Sequence, residues 1–70
     1  MVLEILRDAS QPLSAARLAE ALAQRKGLEA TPALIEQLRK RALGAVRRLT
    51  GKGVIAAAGT DAGETTWHVA

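Results

Sequence analysis

The spacing of apolar residues predicts a short first helix and a longer second one. Apolar positions recur at helical intervals over residues 2–9, and the pattern stops before Pro12, because proline disfavours helical geometry in the residue that precedes it. Ser14 can accept a hydrogen bond from a free backbone N–H group and so begin a second helix, which its apolar stripe extends to about Lys26. Gly27 supplies the left-handed residue expected just beyond that end.

A third helix follows, with one apolar and one basic face. Thr31 can cap it and Pro32 suits its first position, and we predict that it continues to Thr50 and ends at Gly51 or Gly53. At about 100° per residue, one face collects the apolar residues Leu34, Ile35, Leu38, Ala42, Ala45, Val46 and Leu49. The opposite face carries Gln37, Lys40, Arg41, Gly44, Arg47 and Arg48. Between the two faces, the aliphatic stem of Arg39 is expected to cover the edge of the core.

The last part of the chain changes to strand-like patterning. Residues 54–58 and 65–69 are strand-length segments, and residues 59–64 between them contain two glycines and an aspartate, which predicts a turn. Trp67 and Val69 alternate onto one face of the second strand. We therefore expect them to dock the hairpin on the helices, with Trp67 against the apolar face of the third helix.

Composition and charge narrow the functional classes. The 70 residues include no cysteine and one histidine, which excludes a disulfide framework, a thiolate zinc site and a histidine-based metal cluster. Residues 1–38 carry a net charge of −1 and residues 39–70 one of +4, with six bases and no acid over residues 39–52. Such a stretch is typical of a polyanion-binding surface, although a solvated helix face gives the same pattern. No uncharged run approaches the ~20 residues of a membrane helix, so we expect a cytoplasmic protein without membrane contact.

The predicted order of elements, three helices followed by a β-hairpin, resembles that of the winged helix-turn-helix family. The third helix, basic outside and apolar inside, is also similar to that family's third helix. Residues 12–22 (PLSAARLAEAL) are similar to its second-helix pattern, and residues 46–55 (VRRLTGKGVI) to the stretch where its recognition helix ends and the wing begins. The resemblance implies a mostly α fold with a small β-hairpin, in the order α-α-α-β-β, as a single domain over the whole chain. Two features differ: residues 25–30 are longer than a typical helix-turn-helix turn, and the wing tip carries Asp61 and Glu64 but no base.

The resemblance implies double-stranded DNA as the partner, with the third helix (about residues 31–50) in the major groove, as in a nucleoid-associated transcriptional regulator. Arginine and lysine pair with guanine and glutamine with adenine, so the base-contact candidates are Gln37, Lys40 and Arg41. The phosphate-contact candidates are Ser14, Arg47, Arg48 and Lys52. We expect no cofactor and no metal. The alternative is a winged-helix module that binds a protein partner, or a second copy of itself, without binding DNA.

Little in the chain indicates catalysis. His68 is the only plausible general base at neutral pH, and it stands beside Trp67 with no serine or carboxylate pattern around it. Glu4 and Asp8 are four residues apart on the first helix, where a solvated helix face explains them. We therefore expect no enzymatic activity.

Two features leave alternatives open. Gly44 lies in a helix interior, where glycine costs roughly 1 kcal/mol relative to alanine. It indicates either the close approach of a phosphate or backbone, or else a helix irregularity or a close helix contact. The apolar pattern begins at Val2 with no capping residue before it. The first helix therefore either starts here or continues upstream in a longer protein from which this domain was cut.

Overall fold

The computed structural model describes residues 2–70, in which three helices are combined with a small antiparallel sheet. The elements are α1 (Val2–Asp8), β1 (Leu13–Ser14), α2 (Ala15–Arg25), α3 (Pro32–Gly51), β2 (Ile55–Asp61) and β3 (Glu64–Val69). The predicted succession of three helices and a hairpin is confirmed. The prediction lacked β1, because a strand of two residues is too short to show an alternating pattern.

The two long helices begin at their predicted capping residues. Ser14 Oγ accepts a hydrogen bond from the backbone N–H of Arg17 at 3.4 Å, and Thr31 Oγ1 accepts one from that of Leu34 at 3.2 Å. Pro32 follows at the first helical position, where its missing N–H costs no helical hydrogen bond. These starts set the rotation of α2 and α3, and hence the direction in which each apolar stripe points.

Both long helices are followed by a glycine in the left-handed region. Gly27 follows α2 with φ +66°, and Gly53 follows α3 with φ +73°, conformations that favour glycine. The next residues, Leu28 and Val54, each donate a backbone hydrogen bond to a carbonyl five residues back, at 2.9 Å and 3.0 Å. The predicted helix ends are thus confirmed. Residues 26–31 separate α2 from α3, so the predicted long connection is also present.

The three strands form one antiparallel sheet in the order β1-β3-β2. Asp61 pairs with Glu64 across a two-residue turn, in which Ala62 and Gly63 have φ values of +52° and +81°. The predicted six-residue turn over residues 59–64 is therefore wrong. Positive φ at both turn positions matches the twist of the flanking strands, so pairing continues to the tip. The first glycine of that segment lies instead at a bulge in β2.

The core lies between the three helices and one face of the sheet. Helices α2 and α3 pack on each other, β2 packs on α3, and β3 packs chiefly on α1 and α2. Trp67 and Val69 are partly buried against the core, which confirms their docking role. Among the helices, β3 contacts α1 and α2 most extensively, and the predicted contact of Trp67 with α3 stays a prediction. The buried apolar residues are Val2, Ile5, Leu6, Ala15, Leu18, Ala19, Leu22, Ala23, Leu38, Ala42, Val46 and Ile55.

Candidate nucleic-acid interface

The outward face of α3 is open to solvent along most of the molecule. The helix has 20 residues, which corresponds to ~30 Å, and the molecule is 31 Å long. Leu38, Ala42 and Val46 are buried in the core, as predicted, and this turns the opposite side outward. The six residues predicted for the outward face are all exposed: Gln37, Lys40, Arg41, Gly44, Arg47 and Arg48. The structure therefore brings the base-contact candidates and most phosphate-contact candidates onto one surface.

The bases of this surface are not compensated by acids of the same chain. Four bases of α3 and Lys52, the residue just after the helix, have no acid within 4.0 Å among residues 2–70. The four helical bases are Lys40, Arg41, Arg47 and Arg48. No acid occurs over residues 39–52, and six of the seven acids of the chain pair with other bases. We call these five residues the basic face.

The helix dipole explains only part of the basic face. Cations near a helix C-terminus interact favourably with the dipole, and Arg48 and Lys52 lie at that end of α3. Lys40 and Arg41 lie in the middle of the helix, beyond the last turn in which this effect operates. Arg48 and Lys52 are also four residues apart, a spacing at which like charges repel on a helix. Stabilisation of the C-terminal end of α3 therefore does not account for the positive charge of the whole basic face.

Arg39 is the base of α3 that already has a partner. Its half-buried guanidinium donates two hydrogen bonds to Glu64 Oε1, from Nη2 at 2.7 Å and from Nε at 3.2 Å. These hydrogen bonds, together with the attraction between the two charges, raise the pKa of Arg39 above its ordinary value. The predicted place of Arg39 between the two faces is confirmed. Its partner lies 25 residues further along the chain, and only the folded hairpin brings it near.

The acids of the hairpin tip are held by arginines of the helices. Asp61 Oδ2 lies 3.7 Å from Nε of Arg17 on α2, and Glu64 pairs with Arg39 on α3. The sequence indicated an acidic wing tip without showing what the acids do. In the structure they join the tip to two helices, so the tip presents paired charges, whereas the bases of the basic face have no acid partner among residues 2–70.

Gly44 lies among the exposed residues of α3, and the fold does not require a glycine there. The helix is continuous through Gly44, and a Cβ built on it would meet no atom of another element within 4 Å in the described part of the chain. A break in the helix and a close contact with another helix are therefore both wrong. The close approach of a ligand stays a prediction.

Ser14 lies apart from the basic face. Its side chain is buried, with 2% exposure of the residue, and its hydroxyl caps α2. It also pairs with Thr66 in the sheet. A phosphate at this place would have to be bound by backbone N–H groups of the first turn of α2, so the contact predicted at Ser14 stays a prediction.

The side chains considered for catalysis are dispersed. His68 is exposed on β3, whereas Glu4 and Asp8 lie 3.8 Å and 2.7 Å from the guanidinium of Arg25. These two acids thus join α1 to α2, and the expected solvated face is also an ion-paired one. Within residues 2–70, no three His, Asp or Glu side chains are grouped as metal ligands are.

A depression of about 640 Å³ lies away from the basic face and shares no wall residue with it. It is enclosed by the segment before β1, the start of α2 and the far half of β2. Its charged wall residues are Arg17 and Asp61, which pair with each other. The depression therefore offers a charged ligand no unpaired group.

Comparison of the chain with protein-family models, with curated proteins and with solved structures found no match. In the described part of the chain, no helix has both the length and the apolar character needed to cross a bilayer. The charge and exposure of α3 are therefore the observations from which a function can be proposed.

Proposed function

We propose that this chain is a winged helix-turn-helix protein that binds double-stranded DNA with α3 in the major groove. The observation that carries the proposal is the basic face, a row of exposed bases that no acid of residues 2–70 compensates. DNA carries one negative charge per ~1.7 Å of helix axis, and its major groove admits an α-helix. The succession of three helices and a hairpin supports the family assignment.

Two roles are distinguished along α3. Gln37, Lys40 and Arg41 lie in its first half, and in a helix-turn-helix arrangement the N-terminal part of the recognition helix contacts base edges. Arg47, Arg48 and Lys52 lie toward the other end, where we assign them to phosphates. Base contacts confer sequence preference, whereas phosphate contacts confer affinity for any duplex and make that affinity depend on salt.

The hairpin contributes little to this mode of binding. Its tip carries Asp61 and Glu64, whose charges are balanced by Arg17 and Arg39, and it has no base of its own. Without a base, the tip has no positive charge to attract phosphates, and its two carboxylates would repel them. We therefore assign DNA binding to α3, with the hairpin serving to hold the helices.

The proposal is tested by titrating a fluorescent random-sequence duplex at several salt concentrations and following anisotropy. The parent chain should bind with a steep salt dependence, and Arg47→Gln should lower the slope by roughly one ion while weakening binding equally on all sequences. Arg7→Gln is the matched control, because Arg7 on α1 is exposed and has no acid within 4.0 Å among residues 2–70. Absence of salt-sensitive binding at low ionic strength, or an equal loss in the control, would overturn the proposal.

Base contacts need a second experiment. A preferred site is first selected from a random duplex library, and variants are then compared on that site and on random DNA. Gln37→Ala and Arg41→Ala should each cost about 1–3 kcal/mol on the preferred site and little on random duplex. Equal losses on both DNAs would show that these side chains contact phosphates instead.

A further inference from the structure

A narrow groove runs beside the basic face, between α1 and α3. It consists of two neighbouring depressions of about 260 Å³ each, which share Val2 and Ala45 as wall residues. The partly buried side chains of Leu3 and Leu49 line one depression, and the core residues Leu22, Leu38 and Ala42 line the other. We call this the α1–α3 groove. Its floor is apolar at both ends.

The rim of the α1–α3 groove is basic. Lys26 and Arg41 border one depression, and Arg48 and Lys52 border the other. All four are exposed, none has an acid within 4.0 Å among residues 2–70, and no acid lines either depression. The groove thus combines an apolar floor with an uncompensated positive rim.

We propose that the α1–α3 groove binds an acidic amphipathic helix of a partner protein. The apolar lining residues of the two adjoining depressions suit apolar side chains of one partner element. From Arg41 to Lys52 the rim follows α3 for ~16 Å, about three helical turns. Apolar side chains spaced at i, i+3 or i+4, and i+7 along a partner helix would reach both depressions, while its acidic residues face the rim.

A second copy of this chain is a poorer occupant than such a partner. Six of the seven acids of the chain already pair within it, and the remaining one, Glu29, lies in the connection before α3. No helix of the described chain therefore presents a free acidic face beside an apolar stripe. Charge complementarity points to a different, acidic protein.

This inference stands independently of DNA binding, although the two would interfere. Arg41, Arg48 and Lys52 belong both to the rim and to the basic face, so a bound acidic helix would compete with DNA for the same bases. Two residues belong to one site only and can therefore distinguish the α1–α3 groove from the DNA interface. Lys26 borders the groove and is not among the DNA contacts, whereas Arg47 is assigned to DNA and does not line the groove.

The test uses a synthetic 18-residue helical peptide with a stripe of three leucines flanked by glutamates. Binding to the 70-residue chain is measured by calorimetry and mapped by methyl chemical shifts of the groove residues. One control peptide has the same composition with the leucines distributed around the helix. The striped peptide should bind and shift the Ala45 and Leu49 methyls, and the control should bind about tenfold more weakly. Equal binding of both peptides, or no binding of the striped one, would overturn the inference.

Variants separate this site from the DNA interface. Ala45→Glu places a carboxylate in the groove and should weaken peptide binding about tenfold or more, while Ala16→Glu, a half-buried alanine of α2 outside the groove, should not. Lys26→Gln should weaken peptide binding and leave DNA binding intact, and Arg47→Gln should do the reverse. Circular dichroism shows whether each variant is folded. If Ala45→Glu folds and binds the peptide as the parent does, the groove is not the binding site.

Discussion

Replacing Gly44 tests whether the outward face of α3 is approached closely by a ligand. A glycine in a helix interior costs about 0.8–1.0 kcal/mol relative to alanine, and leucine is nearly as favourable as alanine. A Cβ at this exposed position meets nothing within 4 Å in the described part of the chain, so the carbon that both substitutions add is accommodated in the free protein. Gly44→Ala and Gly44→Leu should therefore each stabilise the fold by about 1 kcal/mol, or about 4–8 °C in Tm for a domain of this size.

DNA binding should respond in the opposite direction. Gly44 lies between Lys40, Arg41, Arg47 and Arg48, so a side chain there would stand between the helix and a duplex that these bases contact. The leucine variant should bind the duplex about tenfold more weakly, equivalent to about 1.4 kcal/mol, and the alanine variant should lie between it and the parent. Neither substitution changes the net charge, so the salt slope should stay that of the parent.

The assays are thermal unfolding followed by circular dichroism and anisotropy titration of the same samples. A leucine variant that is more stable than the parent and binds DNA equally well would refute close approach at Gly44. A fall in Tm for Gly44→Ala would refute the account of the helix, since it would mean that the methyl group meets an obstacle. The two readouts are separate, because anisotropy reports on the complex with DNA and thermal unfolding reports on the free chain.

Further outcomes follow from the packing and the ion pairs. Trp67→Ala should lower the free energy of unfolding by about 3 kcal/mol, a large part of the ~3–5 kcal/mol available to so small a core. Leu28→Ala, at an exposed site, should change it by about 0.5 kcal/mol or less. Thermal unfolding compares the two variants, and a Trp67 variant that melts within a few degrees of the parent would show that this side chain is peripheral. Glu64→Gln should lower Tm by no more than a few degrees and speed amide exchange at the hairpin tip, and both effects should be absent when Arg39→Gln has already removed the pair. Undiminished effects in the Arg39→Gln background would show that Glu64 acts through another contact.

The helices could be predicted from the sequence because their signals are local. Ser14 and Thr31 cap within three residues of themselves, and Gly27 and Gly53 adopt left-handed geometry beside the helix they follow. The two faces of α3 follow from a single periodicity once its start is known. The pattern of residues 31–50 therefore predicts which bases of α3 face outward, and the structure confirms that these bases are exposed.

What the sequence could not predict depends on contacts distant in the chain. The pair between Arg39 and Glu64 spans 25 residues, and nothing around either residue indicates the other. The turn was predicted too long because glycine and aspartate signal a turn without specifying its length, and here positive φ at Ala62 and Gly63 lets the strands pair to the tip. The α1–α3 groove likewise arises only when three helices meet.

The charges of this chain fall into two groups, and the division bears on function. Arg17, Arg25 and Arg39 join one element to another through acids, which is what a fold of marginal stability needs. The basic face does the opposite: its like charges repel, and Gly44 lies among them in the helix interior, where no internal contact requires a glycine. These unfavourable features lie together on one exposed surface. Proteins keep such features where a binding partner compensates them, and local disagreement with stability is most often found at functional sites. The surface of α3 is therefore where we expect this protein to meet its ligand.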